Sequence, residues 1–303
     1  MKQISIIIPT YNRPNTLLKT IDSYLSQNYV REIIIINDSS DRSYKETIYY
    51  IENVCNNNNI KFRYIYNNSN LGAANCRNIG IANATSRYIF WGEDDVFLDK
   101  DYLKILFDRR KEKEIVFGSI FYNISQEVSL ERQQNKIIEQ INKDIELFDY
   151  YKFEGYFRKK TIKRIEVPFG HALFLAPKSA YEDISYYEGY KFNGYREESD
   201  VQIQMIKSGY KIIYDSLAEC YHLPRKEIEK NSGQHKHNLL LYELSKIINN
   251  SIFLKRHFKY LKFKFNLNNS LINVLIYYIL FIFGDNIKKI KNKIKSKLKE
   301  NYD

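Results

Sequence analysis

Cysteine is scarce in this sequence of 303 residues: Cys55, Cys76 and Cys220 are the only three, and they lie far apart. Neither a CxxC pair nor the Cys/His spacing of a zinc site occurs, so no disulfide framework or structural zinc centre is predicted. We expect the three thiols to be small buried side chains in a reducing compartment.

Other signals are missing as well. No GxGxxG follows the first apolar run, which disfavours a dinucleotide-binding enzyme, and no Ser-His-Asp or Cys-His constellation indicates nucleophilic catalysis. No secretory signal opens the chain, so we expect a cytoplasmic protein. Glycine and proline number only 11 and 5. This biased composition gives single Asn or Tyr residues little functional weight.

The overall composition is that of a globular protein, with 44% hydrophobic and 27% charged residues. The length allows one large domain, alone or with an extension. The net charge of +11 could suggest a nucleic-acid partner. However, the lysines cluster at one end and no nucleic-acid-binding motif occurs, so we predict no such partner.

The first half alternates between two kinds of segment. Strongly apolar runs predict strands, and the longer segments between them have helical spacing. The strands are expected at 4–8, 32–37, 61–66 and 87–91, and the helices at 14–28, 43–57 and 72–83. This alternation predicts an α/β fold with a mostly parallel central sheet flanked by helices. Ligands of such sheets bind beyond the carboxyl ends of the strands.

Polar clusters follow three of these strands, in segments 9–14, 37–41 and 93–95. The last cluster is Glu93-Asp94-Asp95, and three adjacent acids cannot all be ionised comfortably without a counter-charge. A divalent cation on a diphosphate would supply that charge. A solvated acidic turn is the structural alternative.

The second half is less regular between residues 110 and 165. Helical spacing is found at 129–148, and an aromatic segment at 150–157 is expected in the core or a lid. Residues 167–175 predict a turn and then a strand. A helix starting near Arg196 has several acids in its first turn, which the helix dipole favours, and a strand follows at 211–214.

The C-terminal end combines an apolar run at 271–283 with a lysine-rich tail. The run is shorter than the ~20 residues that a membrane span needs. A basic amphipathic helix beside it predicts peripheral contact with the inner face of a membrane. The alternative is a solvated helix that packs the apolar run against the rest of the protein.

Five motifs resemble those of family 2 glycosyltransferases of the GT-A fold, in the family's order and spacing over about residues 3–225. They are Ser5–Arg13, Ile36–Asp41, Asn70–Gly80, Glu93–Asp95 and Arg196–Asp200. The resemblance implies a Rossmann-like GT-A catalytic domain at 1–230 and a helical C-terminal extension at 231–303. Two positions differ from the family pattern: Glu93 stands where Asp is usual, and Glu197-Glu198 stands where Glu-Asp is usual.

The resemblance also implies a reaction, an inverting sugar transfer from a nucleotide-diphosphate donor to an acceptor hydroxyl on a glycan, lipid-linked or protein-linked acceptor. It implies Glu198 as general base, with Glu197 as the alternative, and Asp95 and His222 as ligands of Mn²⁺ or Mg²⁺. The predicted donor-binding residues are Pro9, Thr10, Tyr11, Arg13, Asp38, Gly72, Arg77, Glu93 and Asp94. We place His171 on the acceptor side.

Structural roles stay open for several of these residues. Asp38 could form an Asx turn, Arg13 and Arg77 could be solvated charges, and Glu198 could stabilise its helix. The two histidines could be structural as well.

Two other functions stay open. A nucleotidyltransferase would want a glycine-rich basic loop after the first strand, whereas this loop is Pro-Thr-Tyr-Asn-Arg-Pro. The acidic clusters argue against the second alternative, an inactive protein that only binds a sugar nucleotide.

Overall fold

The computed structural model describes residues 3–124, 147–150, 152–230 and 239–284. Its first half confirms the predicted alternation of strands and helices. The elements are β1 (Ile4–Thr10), α1 (Pro14–Leu25), β2 (Val30–Asn37), α2 (Lys45–Asn57), β3 (Lys61–Tyr66), α3 (Ala73–Asn83) and β4 (Tyr88–Trp91).

The second half adds further helices and strands. They are β5 (Val96–Leu98), α4 (Tyr102–Arg109), β6 (Glu114–Tyr122), β7 (Phe148–Asp149), β8 (Glu154–Gly155), β9 (Ile165–Glu166), β10 (Phe174–Pro177), α5 (Glu197–Lys207) and β11 (Lys211–His222). Of these strands, β7 and β8 form a separate two-stranded sheet, and the others join the large one. Within the described ranges the large sheet has the order β3-β2-β1-β4-β10-β6-β11-β5. The pairs β3-β2, β2-β1, β1-β4 and β6-β11 are parallel, while β10 and β5 run antiparallel to their neighbours.

The core lies on both faces of this sheet. Ile6, Ile7 and Ile8 of β1 are all fully buried, as a strand between two layers of helices requires. Because β1, β2 and β4 are parallel neighbours, their carboxyl ends meet at one edge, which is where the polar clusters were predicted to converge.

The prediction of an irregular middle was wrong for residues 114–122, which form the nine-residue strand β6. Gly118 lies in the middle of this strand, and a Cβ there would come within 2.2 Å of the Ala218 carbonyl oxygen of β11. The glycine therefore permits the close approach of the two strands. The helix predicted at 129–148 lies almost wholly outside the described residues.

Two helices form the described C-terminal part, α6 (Leu239–Lys264) and α7 (residues 271–284). Phe253, Leu254 and Leu261 of α6 are buried in the main core, and so is Val274 of α7. The apolar run at 271–283 therefore packs one face against the rest of the protein. No helix among the described residues is long and apolar enough to cross a membrane. The lysine-rich tail lies outside them.

Candidate active site

A cavity of about 610 Å³ lies at the carboxyl edge of the parallel strands. Thirteen of the fourteen predicted site residues line it. They are Pro9, Thr10, Tyr11, Arg13, Asp38, Gly72, Arg77, Glu93, Asp94, Asp95, Glu197, Glu198 and His222. The fold thus brings together side chains that lie up to 213 residues apart in the sequence.

His171 is the predicted residue that does not line this cavity. Its Nε2–H donates to the Gly118 carbonyl at 2.9 Å, and its Nδ1 accepts from the Leu173 amide at 3.1 Å. Its ring packs against Phe117, and burial lowers its pKa to about 4. A neutral imidazole with both nitrogens bonded to backbone is a structural group, so this placement gives no support to the predicted acceptor-side role.

Arg13 is the counter-charge of the acidic motif. Its NH1 lies 2.8 Å from Asp94 Oδ1 and 2.7 Å from Asp95 Oδ2, and all three side chains are nearly buried. Burial nevertheless raises the pKa of Asp94, although Arg13 opposes this shift. Burial and then the neighbouring Asp95 charge raise the pKa of Glu93 to about 8. The sequence predicts Arg13 as a donor-binding residue, and in the structure it lines the cavity while its guanidinium also binds the two acids.

A directional chain of hydrogen bonds fixes this arrangement. The Arg13 amide donates to the Tyr44 hydroxyl at 2.9 Å, and that hydroxyl lies 2.8 Å from Thr10 Oγ1. Thr10 in turn donates to Asp94 Oδ2 at 2.7 Å. Tyr44 was not predicted as a site residue, because nothing in its local sequence marks it.

Asp95 and His222 face each other across 3.6 Å, from Oδ2 to Nε2. The His222 Nδ1–H donates to the Leu223 carbonyl at 2.9 Å, which orients the ring with Nε2 toward the carboxylate. Two ligands of one cation, each at about 2.1 Å, lie roughly 3 to 3.7 Å apart at angles of about 90 to 120°. The pair therefore fits a cation that takes its other ligands from substrate and water.

A cation held by the protein alone is not indicated. Among the described residues, no three His, Cys, Asp or Glu side chains are grouped so that they could hold a metal ion.

Asp38 organises the loop before α3. Its Oδ1 accepts from the Leu71 amide and its Oδ2 from the Gly72 amide, both at 2.8 Å. Gly72 has φ +86°, a conformation that favours glycine over any L residue. The carboxylate thus holds the glycine turn against the end of β2, where a donor nucleoside was predicted to bind.

Arg77 links α3 to the predicted base. Its NH1 pairs with Glu197, and its NH2 lies 3.0 Å from Glu198 Oε1. Its guanidinium carbon lies 6.0 Å and 5.4 Å from the ring centroids of Trp91 and Tyr186. Burial raises the pKa of Glu197 to about 8, against the influence of Arg77.

The two adjacent glutamates differ in exposure. The Glu197 side chain is 4% exposed and the Glu198 side chain 21% exposed. Glu198 is the more accessible carboxylate on the cavity wall, so the geometry favours it over Glu197 as the group that meets an acceptor.

The helix that carries these glutamates is anchored by α6. Asp200 is fully buried, and its Oδ2 lies 2.7 Å from Arg256 Nε and 2.8 Å from His257 Nε2. One turn earlier along the chain, Arg196 donates from Nε to Asn250 Oδ1 at 2.9 Å. The C-terminal extension thus supports the residues on both sides of Glu198.

Sequence reasoning missed several aromatic residues of the cavity wall, namely Tyr122, Tyr190, Phe192 and Tyr242. Tyr122 ends the unpredicted strand β6, and its ring lies 5.4 Å from that of His222. The apolar run before Tyr122 could have predicted strand β6, and with it the position of Tyr122 at the strand end. Tyr242 comes from α6, and no local pattern points to it.

The sequence matches the family described as glycosyl transferase family 2 over residues 5–182. An uncharacterized glycosyltransferase of Rickettsia felis is 35% identical over 40% of this chain and 19% of its own length. A poly-β-1,6-N-acetyl-D-glucosamine synthase of Staphylococcus aureus is 28% identical over 74% of this chain and 50% of its own length. The chain thus spans half or less of these curated relatives.

Solved structures show the same fold. The structure of GalNAc-T7 with UDP, GalNAc and Mn²⁺ has a TM-score of 0.57 at 15% identity, covering 74% of this chain and 44% of that one. Residues 1–349 of TarS from S. aureus give a TM-score of 0.50 at 16% identity, covering 89% and 76%. Both confirm the predicted GT-A fold.

Proposed function

This chain belongs to glycosyl transferase family 2, and from that membership we propose that it transfers a sugar from a nucleotide-diphosphate donor to an acceptor hydroxyl with inversion. The observation that carries the proposal is that Asp38, Asp95 and Glu198 line one cavity, although they come from three distant segments. The cavity volume of about 610 Å³ is in the range of a small-molecule site.

The donor would lie along the edge formed by β1, β2 and β4. Its nucleoside would meet the loop that Asp38 holds, and its diphosphate would approach Asp95 and His222. The first donors to test are UDP-linked N-acetylhexosamines, because the Staphylococcus relative is named for poly-N-acetylglucosamine synthesis.

Transfer would take a single displacement. The Glu198 carboxylate takes the proton of the acceptor hydroxyl, and the acceptor oxygen forms its bond to the anomeric carbon. The bond from that carbon to the diphosphate oxygen breaks on the opposite face, and its electron pair leaves with the nucleotide. One attack from the opposite face inverts the anomeric centre, and no side-chain nucleophile is needed.

Asp95 and His222 would hold Mn²⁺ or Mg²⁺ together with the donor. The metal, when bound, supplies positive charge that stabilises the departing diphosphate. Mn²⁺ is the first ion to test, since the GalNAc-T7 structure was solved with it. The acceptor would be a hydroxyl of a glycan, a lipid-linked acceptor or a protein-linked acceptor. We also propose peripheral membrane contact through the C-terminal part.

The test is nucleotide release from UDP-GlcNAc and UDP-GalNAc, with and without Mn²⁺, in wild type, Glu198→Gln and Asp95→Asn. We expect Glu198→Gln to bind donor but to lose at least about 100-fold in turnover, the usual size of a general-base contribution. Asp95→Asn should lose the Mn²⁺-dependent part of donor binding.

Other outcomes would count against parts of the proposal. Normal turnover in Glu198→Gln together with an inactive Glu197→Gln would mean that Glu197 is the base instead of Glu198. Donor binding by wild type without any turnover, over a panel of acceptors, would favour the inactive binding protein.

A further inference from the structure

The outer face of α7 is apolar and uncovered by any of the residues that the structure describes. Ile272, Ile276, Leu280 and Phe283 are 67%, 51%, 64% and 57% exposed, and their spacing places them on one stripe. The opposite face carries Val274, Tyr278 and Ile282, which are nearly fully buried. The helix therefore lies along the protein surface with apolar side chains on both sides.

The positive charge of the chain is concentrated in the last part of the sequence, which includes this helix. Residues 251–303 contain twelve Lys and Arg against three Asp and Glu, which accounts for nine of the eleven net positive charges. No acidic residue occurs between 251 and 284. An apolar stripe flanked by basic residues is the pattern of an interfacial helix on anionic lipid.

The same helix contacts the segment that leads into the catalytic helix. The Tyr278 hydroxyl donates to the Tyr195 hydroxyl at 3.2 Å, and Tyr195 directly precedes Arg196 at the start of α5. On the other side, Lys152 Nζ lies 4.6 Å from the ring centroid of Phe281. The buried face of α7 thus contacts a residue whose neighbour in the chain, Gly194, lines the cavity.

We propose that the outer face of α7, defined by Ile272, Ile276, Leu280 and Phe283, docks on the surface of an anionic lipid bilayer. The lysine-rich tail contributes electrostatic attraction, and docking places the cavity beside acceptors carried by the membrane. The placement of the cavity beside membrane acceptors rests on the proposed sugar transfer, whereas the proposed lipid binding does not. A second copy of the chain is a poorer occupant, because two such strongly basic ends would repel each other.

The test is co-sedimentation of the full chain with phosphatidylcholine vesicles, either pure or with about 30% phosphatidylglycerol, which supplies the negative surface. Wild type should bind the anionic vesicles and lose that binding at high salt. The double variant Ile276→Asp/Leu280→Asp should bind more than about tenfold more weakly. The matched control is Tyr49→Asp/Ile162→Asp, which alters two exposed apolar residues elsewhere and should bind like wild type.

A second variant tests the contribution of charge. Replacing Lys288, Lys289, Lys291 and Lys293 by Gln should weaken binding and flatten its salt dependence. Three results would overturn the proposal. Wild type could bind both vesicle types equally, or the α7 double variant could bind the anionic vesicles as well as wild type does. The third is a wild-type dimer that dissociates in the double variant. Glu198→Gln should sediment like wild type, so failure of sugar transfer and failure of lipid binding are distinguishable.

Discussion

Arg13 neutralises the acidic motif from within the protein. The sequence suggested that three adjacent acids need a cation, and the structure provides a guanidinium that bridges Asp94 and Asp95. Removing one partner of a buried ion pair leaves the other charge uncompensated, which costs more than a surface pair is worth. The position therefore matters for stability as well as for function.

Arg13→Met should lower the free energy of unfolding by about 3 to 5 kcal/mol, since it leaves two buried carboxylates without their counter-charge. Millimolar Mn²⁺ should raise the unfolding midpoint of this variant more than that of wild type, because the ion can replace the missing charge. Thermal unfolding with and without Mn²⁺ measures both effects. Arg42→Met, which removes a partly exposed pair with Glu229, is the control and should change stability far less. Equal midpoints of Arg13→Met and wild type would contradict this role.

Glu197 should make stability depend on pH. Its pKa is raised from 4.5 to about 8 by burial, so the unfolded chain ionises this group at lower pH than the folded protein does. Its contribution to stability is therefore fully present below about pH 4.5 and is lost as the pH rises toward 8.

Glu197→Gln removes this titration while keeping the side-chain shape. We expect the midpoint of the variant, relative to wild type, to rise steadily between pH 5.5 and pH 8.5, as followed by circular dichroism. A difference that stays constant over this range would mean that Glu197 does not titrate there.

The positions of individual site residues could be predicted, but their partners could not. Thr10, Asp38 and Asp95 follow strands whose apolar pattern is plain, so their place at one edge follows from the fold class. The contacts of Arg13 span 81 and 82 residues, and the contact of Arg77 with Glu197 spans 120. Such pairs depend on the sheet order, which local periodicity does not contain.

At the scale of elements, prediction succeeded where the period of the apolar residues was unambiguous. The strands β1 to β4 and helices α1 to α3 alternate with clear boundaries. Strand β6 was missed because Gly118 interrupts its apolar run and weakens the strand pattern. The short strand β5 was not predicted because it directly follows the acidic motif.

Helix α6 contacts α5, the helix of the proposed base, through buried polar groups. Asp200 is surrounded by Arg256, His257, Tyr190 and Gln204, and the hydrogen bonds of His257 and Arg256 hold its pKa well below the usual range against burial. These bonds fix α5 two residues after Glu198. The extension is therefore part of what positions the proposed base.

Arg256→Gln should lower stability by about 1 to 3 kcal/mol through the loss of a charge-assisted hydrogen bond to a buried carboxylate. Because α5 loses an anchor near the base, kcat should fall while the donor KM changes little. Steady-state kinetics beside thermal unfolding measures this split. Lys255→Gln, its exposed neighbour, is the matched control. A rise in donor KM without a fall in kcat would show that the contact serves donor binding instead.

At the scale of the whole molecule, the cavity is assembled from both halves of the chain. The loops after β1, β2 and β4 form one side, while the start of α5 and the end of β11 form the other. The sequence predicted that these clusters converge, since the family motifs appear in order. It could not predict that α6 would add Tyr242 to the wall, because that depends on how a helix docks on the finished domain.

Gly118 lies in β6, inside the sheet, and its lack of a side chain affects the position of the far end of the neighbouring strand β11. Strands β6 and β11 run side by side from this point to their last paired residues, Tyr122 and His222. A methyl group at position 118 would push β6 and β11 apart. Because the two strands stay paired as far as His222, its imidazole would be displaced as well. With His222 in its proposed role as a metal ligand, a mutation screen would then score a substitution deep inside the protein as a cation-binding defect, although the altered residue is buried away from the cavity.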